Sequence, residues 1–336
     1  MNVKKLFACL PAAIVAITLF GCGKAEEVPQ ETTTVSQTEI VSDSGDTETE
    51  AVTEAELSAD DFEYKETENG IEIQKYIGSG AEVKIPGEID GKPVVKIGGW
   101  AFRFREDIVS VQIPDSVTEI GFSAFDGCTC LENAYLPESL VKIEDYAFDM
   151  CSSLRLDELP DNVKEIGKGA FCFCRGIEKM RLPNGLERIG ESAFGECSAL
   201  DFIAIPDTVA EIGGHAFAGC KNIKEITIPE RVTVIGEAVF ANCIELEKVV
   251  LPEGVTEIGF CAFNFCMALK EINLPQSLET IDESAFNCCY GLTQLILPDG
   301  VNHIGENAFS ECKNICIVRG GDTYTYENIE SLYNGE

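Results

Sequence analysis

Proline stands at positions Pro114, Pro137, Pro160, Pro183, Pro206, Pro229, Pro252, Pro275 and Pro298, a spacing of 23 residues kept without a gap. A fixed period of that length constrains the chain more than any compositional value. It is the signature of stacked coils, each a single supersecondary unit. Such a unit has an apolar face it cannot cover by itself, so it folds only between neighbours. Residues 209–229 carry the unit in its plainest form, V-A-E-I-G-G-H-A-F-A-G-C-K-N-I-K-E-I-T-I-P.

Stacking places equivalent residues in columns. Val or Leu fills one from Val117 to Val301, and isoleucine fills the next from Ile120 to Ile304. Phenylalanine fills a third from Phe102 to Phe309, each preceded by alanine except at Val239. Leucine or isoleucine fills a fourth from Leu131 to Ile315. A short strand precedes each proline, as in Ile226-Thr227-Ile228. The fold class expected is therefore a repeat solenoid of short parallel strands joined by turns.

The flanks differ in composition. Residues 1–21 have a basic start (Lys4, Lys5) and an apolar run from Leu6 to Phe20. That is the layout of a secretory signal, too short for a convincing spanning helix. Its end, Leu19-Phe20-Gly21-Cys22, resembles a bacterial lipobox; the resemblance implies lipidation of Cys22 and a lipid anchor in the membrane. Cleaved there or kept as an uncleaved anchor, the segment puts the rest of the chain outside the cytoplasm, at the cell surface. Residues 22–61 are rich in Glu, Thr, Ser and Asp with nothing to bury, and read as a disordered acidic tether. Two alternating runs around Asn69-Gly70 predict an N-terminal hairpin cap over residues 62–85, covering the open edge of the first coil. Ten coils are expected over 86–319, the first enlarged by Ile89-Asp90-Gly91-Lys92-Pro93. Residues 320–336 read as a C-terminal cap, with a short helix over Tyr324–Ile329.

The coil pattern, an Ile-Pro strand end followed by V-x-x-I-G-x-x-A-F-x-x-C-x-x-L, resembles the BspA-like, or treponemal-type, bacterial leucine-rich repeat. The resemblance implies a curved, leucine-rich-repeat-like solenoid on a bacterial surface, where several members attach to host proteins. Glu144 and Asp282 replace the glycine after isoleucine. Asp157 stands where a strand isoleucine belongs, between Leu156 and Leu159, and predicts a bulge or register shift in that coil.

Chemistry is sparse. With 25 Lys and Arg against 58 Asp and Glu, the net charge is -33. This repels phosphate backbones and excludes nucleic acid as a partner. Nine of the 16 cysteines, from Cys128 to Cys312, form a column three residues after the phenylalanines. Neighbouring strands are about 4.8 Å apart, so lateral disulfides are conceivable. Nine is odd, however, and buried free thiols are the favoured reading. His215 and His303 fall in different columns, Cys172 with Cys174 and Cys288 with Cys289 are not separated as Cys-x-x-Cys, and no nucleophile motif is present. No metal, cofactor or catalytic set is expected, and the chain is read as non-enzymatic.

Recognition is expected on the strand residues that alternate with buried ones. One column runs Ser110, Asn133, Leu156, Lys179, Phe202 and on to Gln294; the next runs Gln112, Tyr135, Glu158, Arg181, Ala204 and on to Ile296. Against so acidic a background, Tyr135, Lys179, Arg181 and Phe202 combine the residue types that anchor interfaces. They are the candidate ligand-binding residues, for an extracellular protein or glycan. Phe122, Phe173, Phe260 and Phe265, on turns, read as packing or coil-edge residues. The alternative function is a structural envelope or cell-wall scaffold that associates with itself.

Overall fold

The computed structural model describes residues 58–334. The expected signal segment, Cys22 and the tether up to residue 57 lie outside the described residues. Over the rest the chain is a parallel β-solenoid of about eleven turns, with short strands and little helix.

Most coils contribute two strands, one to each of two faces. The longer strand precedes the proline, and its middle residue points inward: Lys179–Arg181 pairs in parallel with Phe202–Ala204 through Lys179↔Phe202, Met180↔Ile203 and Arg181↔Ala204. The shorter strand couples a polar or charged residue to the column isoleucine, as in Glu119–Ile120 beside Lys142–Ile143. There the charges alternate, Lys96, Glu119, Lys142, Glu165, Arg188 and Glu211, so lateral neighbours are opposite in sign. Lys96 Nζ lies 2.6 Å from Glu119, and Arg188 Nε lies 3.3 Å from Glu211. The alternation ends at Val234, and the ladder divides at that same step.

The remaining side has no strands but is hydrogen-bonded throughout. Two residues per coil there adopt positive φ, for example His215 (59°) and Gly219 (74°). Their N–H groups donate to Glu237 and Ala241 in the next coil, both at 2.8 Å. Left-handed backbone is costly for residues with a Cβ, and here an inter-coil bond accompanies it in each coil from Trp100 to Cys288. The glycine after isoleucine answers a different demand. A Cβ on Gly213 would lie 2.4 Å from the amide nitrogen of Glu191, so this column lets successive coils approach closely.

Phenylalanines 102 to 309 are fully buried and stacked, with centroids 4.7 to 5.7 Å apart along the column. The column continues past its first coil: Tyr76 of the N-terminal hairpin stacks on Phe102, and Phe62 lies tilted against Tyr76. In that hairpin Phe62–Thr67 runs antiparallel to Gly70–Tyr76, and the two-residue loop is Glu68-Asn69, one position before the expected turn. Residues 58–61, expected in the tether, instead form a capped 3-10 turn (Ala59–Asp61), whose Asp61 carbonyl accepts from Ile77 at 2.8 Å. The enlarged first coil holds a small hairpin, Glu88–Ile89 against Lys92–Ile97, turned by Asp90 and Gly91 at positive φ.

Two expectations are corrected. Leu156, placed in the exposed column, is buried. Asp157 occupies the inward register, where an unpaired carboxylate is costly. The chain turns there so that Leu156 enters the core and Asp157 faces solvent. This is the shift the sequence anticipated, and it reduces the ladder locally to one bridge, Glu158↔Arg181. At the C-terminus, Tyr324 and Thr325 belong to a strand, Asp322–Thr325, antiparallel to Cys316–Arg319. Gly320 and Gly321, both at positive φ, fold the chain back on itself, and helix begins only at Glu330.

Candidate ligand-binding face

The face made by the longer strands carries all four candidate residues. Tyr135 and Phe202 are 61% and 59% exposed. Phe202 stands on the outer face of its strand, and its neighbour Ile203 is buried in the core. Lys179 pairs laterally with Phe202 and is also exposed. Arg181 is already engaged: Nε lies 2.9 Å from Glu158 and one terminal nitrogen 3.0 Å from Asp161. Tyr135 stands two coils away, beyond the irregular coil of Asp157. The structure therefore brings Lys179, Arg181 and Phe202 together and leaves Tyr135 apart.

The cysteine column offers no reactivity. Its nine thiols are buried and free. Each S–H donates to the carbonyl of the phenylalanine in the preceding coil, as Cys128 does to Phe102 at 3.0 Å and Cys220 to Phe194 at 3.1 Å. Burial pushes the Cys128 thiol up to about 12, far from the thiolate that nucleophilic chemistry needs. Among the described residues no group of three or more His, Cys, Asp or Glu could hold a metal ion, and no helix is long and apolar enough to cross a membrane.

Two features of the surface escaped the sequence reading. On the turn side of the first coils, Trp100 and Phe104 are more than half exposed, and Phe122 lies edge-on to Trp100 at 5.4 Å and to Tyr146 at 5.9 Å. Trp100 is the only tryptophan, and the one available signal was its place in the turn column. The second feature is a cleft of about 840 Å³ in the strand face, lined among others by Lys248, Val250, Glu271, Asn273, Gln294 and Ile296. It lies where the ladder of Lys248–Val250 and Glu271–Ile272 ends and the next sheet begins at Gln294–Ile296.

Asn273 stands beside this break. In several coils the N–H after the strand donates to the next coil's carbonyl, as Ile228 does to Val250 (2.9 Å) and Leu297 to Val318 (2.9 Å). At Leu251 the Asn273 side chain takes over, accepting from the Leu251 N–H and donating to the Leu251 carbonyl, both at 2.8 Å. No bond joins Leu274 N–H to Ile296. Ile272, in a column otherwise fully buried at Ile226, Val249 and Leu295, is only half-buried.

With this geometry established, the sequence profile of the BspA type leucine rich repeat region (6 copies) matches residues 82–201 and 187–316. The chain belongs to the BspA-type leucine-rich repeat family. Solved structures similar to this BspA-type chain include a leucine-rich repeat protein from Bacteroides ovatus, 24% identical over 79% of this chain and 89% of that one, TM-score 0.55. The pneumococcal vaccine antigen PcpA is 23% identical over 79% of this chain and 81% of its own, TM-score 0.51. Both likenesses concern the fold. A leucine rich cell surface protein from Faecalibacterium prausnitzii is 27% identical over 77% of this chain and 86% of its own, TM-score 0.49. No curated protein matches the chain. BspA-type repeats are typically binding scaffolds, and no catalytic family is indicated.

Proposed function

We propose that this BspA-type chain is a non-catalytic bacterial surface protein that binds an extracellular protein or glycan along its strand face. In this reading residues 1–21 are a signal segment, Cys22 is lipidated, and the acidic stretch that follows holds the solenoid away from the membrane. The observation that carries the proposal is Phe202. It is an exposed aromatic on a hydrogen-bonded strand pair beside the cation Lys179, on a chain whose charge is otherwise strongly negative. Exposed aromatics on preordered backbone bind with little entropic loss and are enriched where interfaces concentrate their energy.

The test is binding of the purified chain to a panel of matrix proteins, mucins and cell-wall glycans, in parallel with a Lys179→Ala, Arg181→Ala, Phe202→Ala triple variant. Loss of binding by tenfold or more in a variant that melts like the parent supports the reading. Equal binding by both forms moves recognition off this part of the face. No binding by either, together with concentration-dependent self-association, replaces the proposal with an envelope scaffold.

A further inference from the structure

We propose that the cleft between Glu271–Ile272 and Gln294–Ile296 receives an extended, uncharged peptide segment of a partner protein as an added β-strand. The inference rests on the reading of the strand face as a recognition surface and names the partner chemistry at one place on it.

Main-chain groups carry the argument. Two parallel strand edges face each other across the cleft without a ladder between them. Leu297 N–H points to the following coil, so by the alternation of a strand the N–H and carbonyl of Ile296 and Gln294 point back into the cleft. On the opposite wall Ile272 and Leu274 have the corresponding orientation, and the Asn273 amide ties that wall to Leu251. An unpaired edge of this kind is a template for another extended polypeptide, whose donors and acceptors repeat with the same spacing. A sugar has no matching repeat.

Side chains narrow the choice further. Val250 and Ile296, 38% and 67% exposed, and half-buried Ile272 line the cleft. They suit aliphatic or β-branched side chains on the incoming strand. The local charges compensate one another: Lys248 Nζ lies 3.7 Å from Glu271, and Lys270 Nζ lies 3.0 Å from Glu247. A charged segment gains nothing there.

The experiment uses the full chain and fluorescein-labelled heptapeptides of alternating Thr and Val, one unmodified and one N-methylated at every second amide. Anisotropy should saturate with the unmodified peptide below about 1 mM. Binding should weaken at least tenfold on N-methylation, and equally in Ile296→Lys, whose exposed position leaves folding unchanged. Hydrogen exchange should show protection by the peptide at residues 272–274 and 294–296. Equal binding of the N-methylated peptide, indifference to Ile296→Lys, protection elsewhere, or no saturation overturns the proposal. So does a dimer of the chain that Ile296→Lys dissolves, since a second copy is then the occupant. The Lys179, Arg181 and Phe202 triple variant separates the two readings. If it loses binding to the ligand panel while no peptide binds the parent, the cleft proposal alone fails.

Discussion

Asp149 shows how one side chain can work against the array that contains it. Its Oδ1 is buried without a hydrogen-bond partner, and burial, with the charge of Asp126 one coil away, raises its pKa from 3.8 to about 7. Because the folded pKa lies above the unfolded one, the folded protein holds a proton there that the unfolded chain has released. Stability is then highest below pH 4 as far as this group is concerned, and is lost as pH rises through 7. Asp149→Asn should raise the melting temperature at pH 8 and flatten its decline between pH 4 and 8, read by circular dichroism. The same scale separates two phenylalanines identical in type. Phe217 stacks between Phe194 and Phe240, so Phe217→Ala should cost about 3–5 kcal/mol in denaturant unfolding. Phe202→Ala, at an exposed site, should stay within about 0.5 kcal/mol.

At the scale of the element, a coil is defined by what it hands to the next. Phe286 N–H donates to Ala308 in the following coil at 2.7 Å, but Phe309 has no following coil. Its N–H donates instead to the Tyr333 hydroxyl at 3.1 Å, on the terminal helix Glu330–Asn334. Ile329 and Leu332 of the same segment are buried against the core. This cap replaces one missing turn with a single hydroxyl. Tyr333→Phe leaves a buried amide unmet and should lower stability by about 1–3 kcal/mol. The loss should appear first as faster amide exchange at Phe309 and its neighbours. The N-terminal hairpin does the corresponding work with packing, extending the aromatic column through Tyr76 and Phe62.

For the whole molecule, stability belongs to the stack and not to any coil. Removing residues 207–229 deletes one complete period and joins Pro206 to Glu230, leaving every column in register. The shortened chain should still melt cooperatively, with its transition only a few degrees lower. Deleting residues 207–218 should abolish the cooperative transition, because it brings unlike columns together. The strand face is not uniform over this length. Its ladder is interrupted at Asp157, between Phe202–Ala204 and Glu225–Thr227, and again at the cleft. The turn side remains bonded where these strands separate, for instance Phe194 N–H to Ala216 at 2.8 Å beside the break between Phe202–Ala204 and Glu225–Thr227.

The period, the buried columns, the family and an irregularity at Asp157 were legible in the sequence, whereas the burial of Leu156 was not. They depend on residue type at a fixed spacing, and stacking repeats that information in every coil. The exposure of Tyr135 and Phe202 followed from strand alternation for the same reason. The pairing of Arg181 with Glu158 and Asp161, the exposed Trp100, and the cleft beside Asn273 were decided only in three dimensions. Each depends on which coil lies against which, and on whether a side-chain amide or the next strand satisfies a given main-chain group. An asparagine in an exposed column is compatible with either outcome until the neighbouring backbone is in place.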